Sequence, residues 1–201
     1  MIFNTSTGLN VEMKDVSFLD AGIHENVALA GVRFDRSPNG NLFIEFKFSK
    51  NGMSFTHTEY EPTKFGDESD EKLQEKADTQ VKRIMQIMKV WYALSVLSFT
   101  ASNFETFGNW VATMMNAADK SILVRIKVVY NNSGYTGLPR YWKYTFIESM
   151  AVEAKDSKIK ELGIDLFQRP EAGDKEAESK TSSQVFSTTV GAAVPNDDMP
   201  F

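Results

Sequence analysis

Basic and aromatic side chains alternate along the strand-like segments of this chain. Cations neutralise phosphates and aromatic rings stack on bases, so this combination is what a site for single-stranded nucleic acid requires. We expect one group of these side chains on the strand face opposite the core: Arg33, Phe43, Lys47, Arg125, Lys127, Tyr141 and Lys143. Tyr135 and Arg140, in the loop before the last predicted strand, extend that surface. Ordinary solvated strand exteriors use the same residue types, so this pattern alone leaves both interpretations open.

The most specific motif is the terminal run "NDDMPF", which contains Asp197, Asp198, Met199, Pro200 and Phe201. An aromatic ring beside its own α-carboxylate can enter a partner's pocket, while the two aspartates meet Lys or Arg on the rim. Pro200 restricts the residue before it and so orients the ring. This motif predicts a protein-interaction tip.

The tip follows a segment, residues 170–196, that is rich in Ala, Ser, Thr, Glu and Lys and poor in large apolar side chains. Such a composition cannot offset the entropy of ordering, so it predicts a flexible linker. Residues 170–201 hold six acidic and two basic residues, and therefore most of the chain's net charge of -5. We expect a domain over residues 1–169 and a disordered acidic tail over 170–201.

Other chemistry is poorly supported. The chain has no cysteine and only two histidines, His24 and His57, which argues against disulfides, a zinc site or a histidine-dependent triad. No phosphate-cradling glycine motif is present. We therefore expect no cofactor, no metal and no enzymatic activity. A nuclease is the enzyme alternative, with metal-binding carboxylates drawn from a set that is scattered over several strands: Glu25, Asp35, Glu45 and Glu59.

The elements that position these residues follow from the apolar periodicity. Residues 27–60 alternate apolar and other side chains around the turn signals "SPNG" and "KNG", which predicts three strands in a meander. Two later strands are predicted in "SILVRIKVVYN" and "YWKYTFIES". Paired Lys and Glu residues between 151 and 166 are compatible with a short helix.

Between the two groups of strands, residues 62–120 have helical periodicity. Apolar residues recur every three or four positions from Asp70 to Ser98, at Leu73, Ala77, Val81, Ile84, Met88 and Trp91. Ser102 and Glu105 have the spacing of a capping box, which predicts the start of a second helix.

The predicted order is three strands, then helical material, then two further strands. This is the element order of an OB-fold, a five-stranded Greek-key barrel. The fold class we expect is therefore mainly β, with a helical insertion over about residues 62–120. Other barrels and α+β folds have the same element order.

A β-barrel domain, a low-complexity linker and the tip "NDDMPF" together resemble bacterial single-stranded DNA-binding proteins, with Asp197, Asp198, Pro200 and Phe201 matching their tip and Met199 in its apolar position. The helical insertion departs from the bacterial pattern and is closer to bacteriophage-encoded single-stranded DNA-binding proteins. That resemblance implies a protein that coats single-stranded DNA in replication, recombination and repair and recruits partners through its tip. Because of this departure, the resemblance does not imply the tetrameric state of the bacterial proteins.

The alternative is a replisome or recombination adaptor that uses the tip without holding DNA. We further expect a cytoplasmic protein, in a bacterium or a phage-infected host, with no membrane span, no secretory signal and a possible homo-oligomeric state. The longest uncharged stretch, residues 90–104, falls short of the roughly 20 residues that span a bilayer.

Overall fold

Three antiparallel strands form the first part of the sheet, which confirms the predicted meander. The computed structural model describes residues 18–170 and gives β1 as Gly22–Arg36, β2 as Leu42–Lys50 and β3 as Met53–Tyr60. Asn51 and Gly52, with φ of 49° and 81°, connect β2 to β3. A two-residue hairpin turn needs positive φ at both positions, and Asn-Gly adopts this geometry readily.

The long strand β1 serves two neighbours in turn. Its first part, from Gly22 to Ala28, pairs with β4 (Leu123–Tyr130), and the part from Ala28 to Arg36 pairs with β2. Register shifts between His24 and Val27 and between Leu29 and Gly31 mark bulges, which bend a strand and increase its twist. The bends let one strand belong to two parts of a curved sheet.

The last predicted strand is shorter than expected, and a two-residue strand forms within the segment predicted as a loop. β5 is Thr136–Gly137 and pairs with the end of β4, whereas β6 is Ile147–Ser149 and also pairs with β4. The predicted strand over residues 141–149 is therefore wrong before Ile147. Side chains of the first helix bind the backbone there, since Gln86 Nε2 donates to the Trp142 carbonyl.

The described residues form one mainly β unit with a six-stranded antiparallel sheet and two helices. The sheet order is β3-β2-β1-β4-β5, with β6 on β4. β5 lies beside β3, but no ladder of hydrogen bonds joins these two strands in residues 18–170. The sheet is thus curved, and a closed barrel is not seen.

Both predicted helices are present, with different ends. Helix α1 spans Asp70–Met88 and begins after Ser69, whose hydroxyl accepts from the Lys72 N–H. The predicted continuation to Ser98 is wrong, because the backbone N–H groups of Trp91 and Tyr92 both bond the Met88 carbonyl and turn the chain. A short 3-10 turn at Leu94–Val96 follows.

Helix α2 spans Phe104–Ala117, and its N-cap is Asn103 rather than the predicted Ser102. The Asn103 side chain accepts from the Thr106 N–H at 2.8 Å, so the capping box predicted with Glu105 does not form. An amide oxygen one residue further along the chain satisfies the helix end in its place.

Helix α2 packs on β1. Beyond Ala28, where β1 no longer pairs with β4, a side chain of α2 bonds the free backbone edge of β1. The side-chain amide of Asn116 accepts from the Val32 N–H at 3.0 Å and donates to the Val32 carbonyl at 2.7 Å. Gly108 of α2 lies so close to Phe34 that an added Cβ would sit 2.3 Å from the ring. The insertion is therefore part of the main core.

That core lies between the sheet and the helices. Its fully buried residues come from both layers: Ile44, Phe46, Phe48, Ile84, Ile87, Met88, Val111, Met115, Val124, Ile126 and Val128. The predicted inward face of β2 is thereby confirmed. Neither α1 nor α2 combines the length and apolar content that a membrane crossing requires.

The chain after β6 folds back over β4. Between β6 and residue 170 it contains a single 3-10 turn, at Ala154–Asp156, so the short helix considered for residues 151–166 is reduced to that turn. The Tyr130 N–H donates to the Leu166 carbonyl at 2.8 Å, which fixes the returning segment beside β4. This covering segment changes the exposure of the β4 cations.

Candidate nucleic-acid interface

An open cleft of about 710 Å³ separates β3 from the chain around β5. Four tyrosines share its lining with two asparagines and one arginine, and they come from β3 and from residues 130–141: Tyr60, Tyr130, Tyr135, Tyr141, Asn131, Asn132 and Arg140. Rings, amides and a guanidinium provide surfaces for stacking, hydrogen bonding and phosphate contact. We refer to this cleft as the tyrosine cleft.

Two of these rings are available to a ligand. The exposed fraction is 52% for Tyr60 and 69% for Tyr135. Tyr135 belongs to a turn that Asn131 organises, because the Asn131 Oδ1 accepts from the N–H groups of Ser133 and Tyr135 at 3.0 and 2.9 Å. Gly134, with φ of 76°, supplies the left-handed position of that turn.

The edge of β3 also faces the cleft. The Ser54 carbonyl accepts from the Leu19 N–H, and the Tyr60 carbonyl accepts from Gln80 Nε2, so even-numbered residues direct their backbone groups away from β2. By strand alternation, Thr56 and Thr58 direct theirs the same way, and both line the cleft. Backbone donors and acceptors are therefore available beside the exposed rings.

A buried ion pair anchors the cleft to α1. Glu59 is 4% exposed and accepts two hydrogen bonds from Arg83, at 2.9 and 2.8 Å. Gln80 Nε2 also donates to Glu59, at 3.1 Å, and His57 Nε2 lies 3.1 Å from it. Burial alone would raise the pKa of Glu59, but the hydrogen bonds from Arg83 and His57 outweigh it and hold that pKa well below 4.5.

The same network positions the cleft wall. Arg83 Nη1 donates to the Arg140 carbonyl at 3.0 Å, and the Lys82 ammonium lies 4.4 Å from the centroid of the Trp142 ring. On the opposite side, His57 Nδ1 accepts from the Leu138 N–H at 3.2 Å. Because Nδ1 accepts, Nε2 carries the proton that His57 donates to Glu59.

A second buried network holds the floor of the cleft. The Lys127 ammonium, 1% exposed, pairs with Asp165 at 2.6 Å and donates to the Tyr141 hydroxyl at 2.8 Å and to the Lys160 carbonyl. Tyr141 in turn donates to Asp165 Oδ1 at 2.9 Å. Burial, followed by the bond to this carboxylate, raises the pKa of the Tyr141 hydroxyl far above its ordinary value.

Arg125, two residues before Lys127 on β4, forms the third buried network. It is 4% exposed, donates to Glu25 at 2.9 Å and pairs with Glu148. The bond to Glu148 raises the pKa of Arg125. Lys127 and Arg125 therefore stabilise the fold, and the prediction that they lie on an exposed face is wrong.

The reason lies in the covering segment. A strand whose second face is solvated has its cations in water. Here β6 places Glu148 opposite Arg125, and the segment after β6 brings Asp165 to Lys127, so both ion pairs are buried. Phe43 is also buried, at 8% exposure, against Tyr60 and beneath the Arg33 guanidinium. Its predicted role as an exposed stacking ring is not compatible with this position.

Lys47, Arg140 and Lys143 are exposed as predicted. Arg33 is exposed too, but it pairs with Glu45 at 3.1 Å and with Asp35 at 3.5 Å. Strand register puts Lys47 opposite Thr56, which lines the cleft, so this lysine stands on the strand face next to it.

The structure therefore brings together Tyr135, Arg140 and Tyr141 of the predicted residues and adds Tyr60 and Tyr130. Tyr60 ends a predicted strand at "TEYEP". The sequence signal for its exposure is strand alternation, which puts the even-numbered residues of β3 on the face away from the core. The predicted tip residues lie outside the described residues: Asp197, Asp198, Met199, Pro200 and Phe201.

The carboxylates of the nuclease alternative do not gather. Glu59 pairs with Arg83, Glu25 with Arg125 and Glu45 with Arg33. Within residues 18–170, no group of three or more His, Asp or Glu side chains is arranged to hold a metal ion. No protein-family model matches the chain, and no curated protein matches it in sequence.

Proposed function

We propose that this protein binds single-stranded DNA without strong sequence specificity and does no chemistry on it. The observation that carries the proposal is the tyrosine cleft, where Tyr60 and Tyr135 expose rings beside Arg140. Stacking of a base on an aromatic ring contributes about 1 to 3 kcal/mol and tolerates any base. Such a site suits a protein that coats DNA during replication, recombination or repair.

The connectivity of the sheet supports an OB-fold as the scaffold. In this proposal, the bent strand β1 is shared between β2 and β4, and β5 lies beside β3 across the cleft. OB-folds bind oligonucleotides on the face of their second and third strands and in the adjoining loops. On that assignment, Tyr60 on β3 and Tyr135 in the loop between β4 and β5 would lie in the corresponding parts of the fold.

Phosphate contacts would come from the exposed cations around that surface. Lys47, Arg140 and Lys143 make no ion pair within residues 18–170, whereas Arg33 would exchange its carboxylate partners for phosphate. Four cations form a modest electrostatic surface. We therefore propose that stacking and hydrogen bonding contribute a large share of the affinity.

Partner recruitment through Asp197, Asp198 and Phe201 is the second part of the proposal. It depends on the likeness of "NDDMPF" to the tip of bacterial single-stranded DNA-binding proteins. An adaptor that uses this tip without holding DNA is the competing function. The cleft favours DNA binding over the adaptor, because exposed rings beside an arginine are suited to stacking on unpaired bases.

Substitution of Tyr135 tests the proposal, with Phe65 as a control. Both rings are exposed, at 69% and 85%, but only Tyr135 lines the cleft. Titration of a fluorescent dT oligonucleotide should show that Tyr135→Ala weakens binding about 5- to 150-fold, as loss of one stacked base implies. Tyr135→Phe and Phe65→Ala should bind like the wild type. Equal affinity in all four proteins would refute the assignment of the cleft.

A further inference from the structure

A second groove, of about 570 Å³, runs along the outer side of α1. Apolar residues line both walls, one wall contributed by α1 and the other by residues 99–107: Leu73, Ala77 and Val81 opposite Phe99, Phe104 and Phe107. We call it the α1 groove. It is separate from the tyrosine cleft, and the proposed DNA binding makes no use of it.

The α1 wall is the first half of a stripe that the sequence predicts to be core. Ile84, Ile87 and Met88, further along the helix, are fully buried. Val81, by contrast, is 38% exposed, and nothing in residues 18–170 covers the groove in front of it. Residues spaced at i, i+4 and i+8 are normally apolar because another element packs on them.

The ionisable residues that line the groove all carry the same charge. They are Glu61, Asp70 and Asp78, of which Asp70 pairs with Lys64 at 2.6 Å, and no Lys or Arg of the described chain lines the groove. The two ends of this chain outside the described residues are also acidic. Residues 1–17 carry one basic and two acidic residues, and residues 171–201 carry two and six. Like charge disfavours residues 171–201 and nucleic acid as the occupant, and residues 1–17 have no net positive charge that would attract them to the groove.

The walls are organised in advance. Phe99 stacks on Trp110 with ring centroids 4.6 Å apart and planes 6° from parallel, so its ring is held at the groove margin. The Asn103 cap fixes the start of α2 beneath it. A site that is already ordered loses less conformational entropy when it binds a partner.

From these observations we infer that the α1 groove docks a helical segment of another protein, with apolar residues at helical spacing and flanking Lys or Arg. The stripe from Leu73 to Val81 is about 12 Å long at 1.5 Å per residue, which matches two to three turns of a docked helix. The apolar anchors would enter between Val81 and Phe99, and the cations would meet Glu61 and Asp78 at the rim.

Two synthetic peptides test this inference on the full chain. Both are amphipathic helices with leucines at i, i+4 and i+7; one carries lysines on the flanks and the other carries glutamates. Amide chemical shifts of the isotope-labelled protein should move around Val81, Phe99 and Phe107 with the lysine peptide only. No response to the lysine peptide, or shifts confined to residues 171–201, would overturn the inference.

Matched lysine substitutions localise the binding. Val81→Lys puts a cation on the groove wall. It should weaken the affinity for the lysine peptide by about tenfold or more, because the new cation repels the lysines of the peptide. Val96→Lys changes a residue that is 56% exposed and outside the groove, and should leave peptide affinity unchanged. Equal losses in the two variants would contradict a groove-specific site. Single-stranded DNA binding, measured on both, should stay at the wild-type level, so failure of the groove and failure of the DNA proposal are distinguishable.

Discussion

Removing the charge of Glu59 should destabilise the protein strongly, because this carboxylate joins β3 to α1 behind the tyrosine cleft. Glu59→Gln keeps the shape of the side chain but leaves Arg83, which is 9% exposed, as a buried cation without its counter-ion. Breaking a buried ion pair on one side costs about 3 to 5 kcal/mol. At about 2 to 4 °C per kcal/mol for a chain of this size, Tm should fall by about 6 to 20 °C.

The pH dependence of this difference has a definite sign. The pKa of Glu59 is lowered in the folded protein, so its ionised form stabilises the fold at any pH above its ordinary value of 4.5. As pH falls below 4.5, the unfolded chain takes up a proton that the folded chain excludes, and the stabilisation is lost. The gap in Tm between wild type and Glu59→Gln should therefore narrow towards acid pH.

Thermal unfolding followed by circular dichroism at pH 7, 5 and 4 measures both effects. Glu153→Gln is the control, since Glu153 pairs with Lys155 at 2.9 Å but both side chains are at least 70% exposed. Its Tm should remain close to that of the wild type. Replacing both partners, as Glu59→Gln with Arg83→Met, should cost less than the two single changes added together. A Glu59→Gln protein that melts with the wild type at pH 7 would refute the role of this pair.

Three further outcomes are expected. Gly108→Ala should lower the free energy of unfolding by about 1 to 3 kcal/mol in urea titrations, because its Cβ would lie 2.3 Å from the Phe34 ring; an unchanged midpoint would show that α2 can shift. Asp165→Asn should cost about 3 to 5 kcal/mol in the same assay, since Lys127 would remain buried without its anion, and a smaller loss would mean that the ammonium finds water. Deleting residues 170–201 should tighten DNA binding, because a tethered acidic tail competes with phosphates for the cations; unchanged or weaker affinity would count against that competition.

Local patterns predicted the elements whose periodicity is regular. Alternation around Ile44 and Phe46 gave β2 and its inward face, and the Asn51-Gly52 pair gave the hairpin. The helical stripe around Ile84 likewise gave α1. In each case neighbouring residues alone specify the element, so one short window of sequence contains the information.

The errors come from tertiary contacts that no short window contains. Arg125 and Lys127 alternate with apolar residues as exposed cations do, yet Glu148 and Asp165 arrive from later in the chain and bury them. Residues 141–146 have a strand-like composition, but helix α1 binds their backbone through Gln86. The tyrosine cleft depends on the same long-range folding, which brings Tyr60 near Tyr135 across the sheet.

Equilibrium titration of the full chain with a fluorescent dT oligonucleotide, repeated at about 50 and 200 mM salt, tests the central claim most directly. If three or four of the cations Arg33, Lys47, Arg140 and Lys143 neutralise phosphates, log K should fall with log salt with a slope of about -2 to -3. Affinity should then drop about 15- to 50-fold between the two conditions and should be weaker for duplex DNA of the same length. Absence of salt-sensitive binding, or preference for the duplex, would contradict the account and favour an adaptor that holds no DNA.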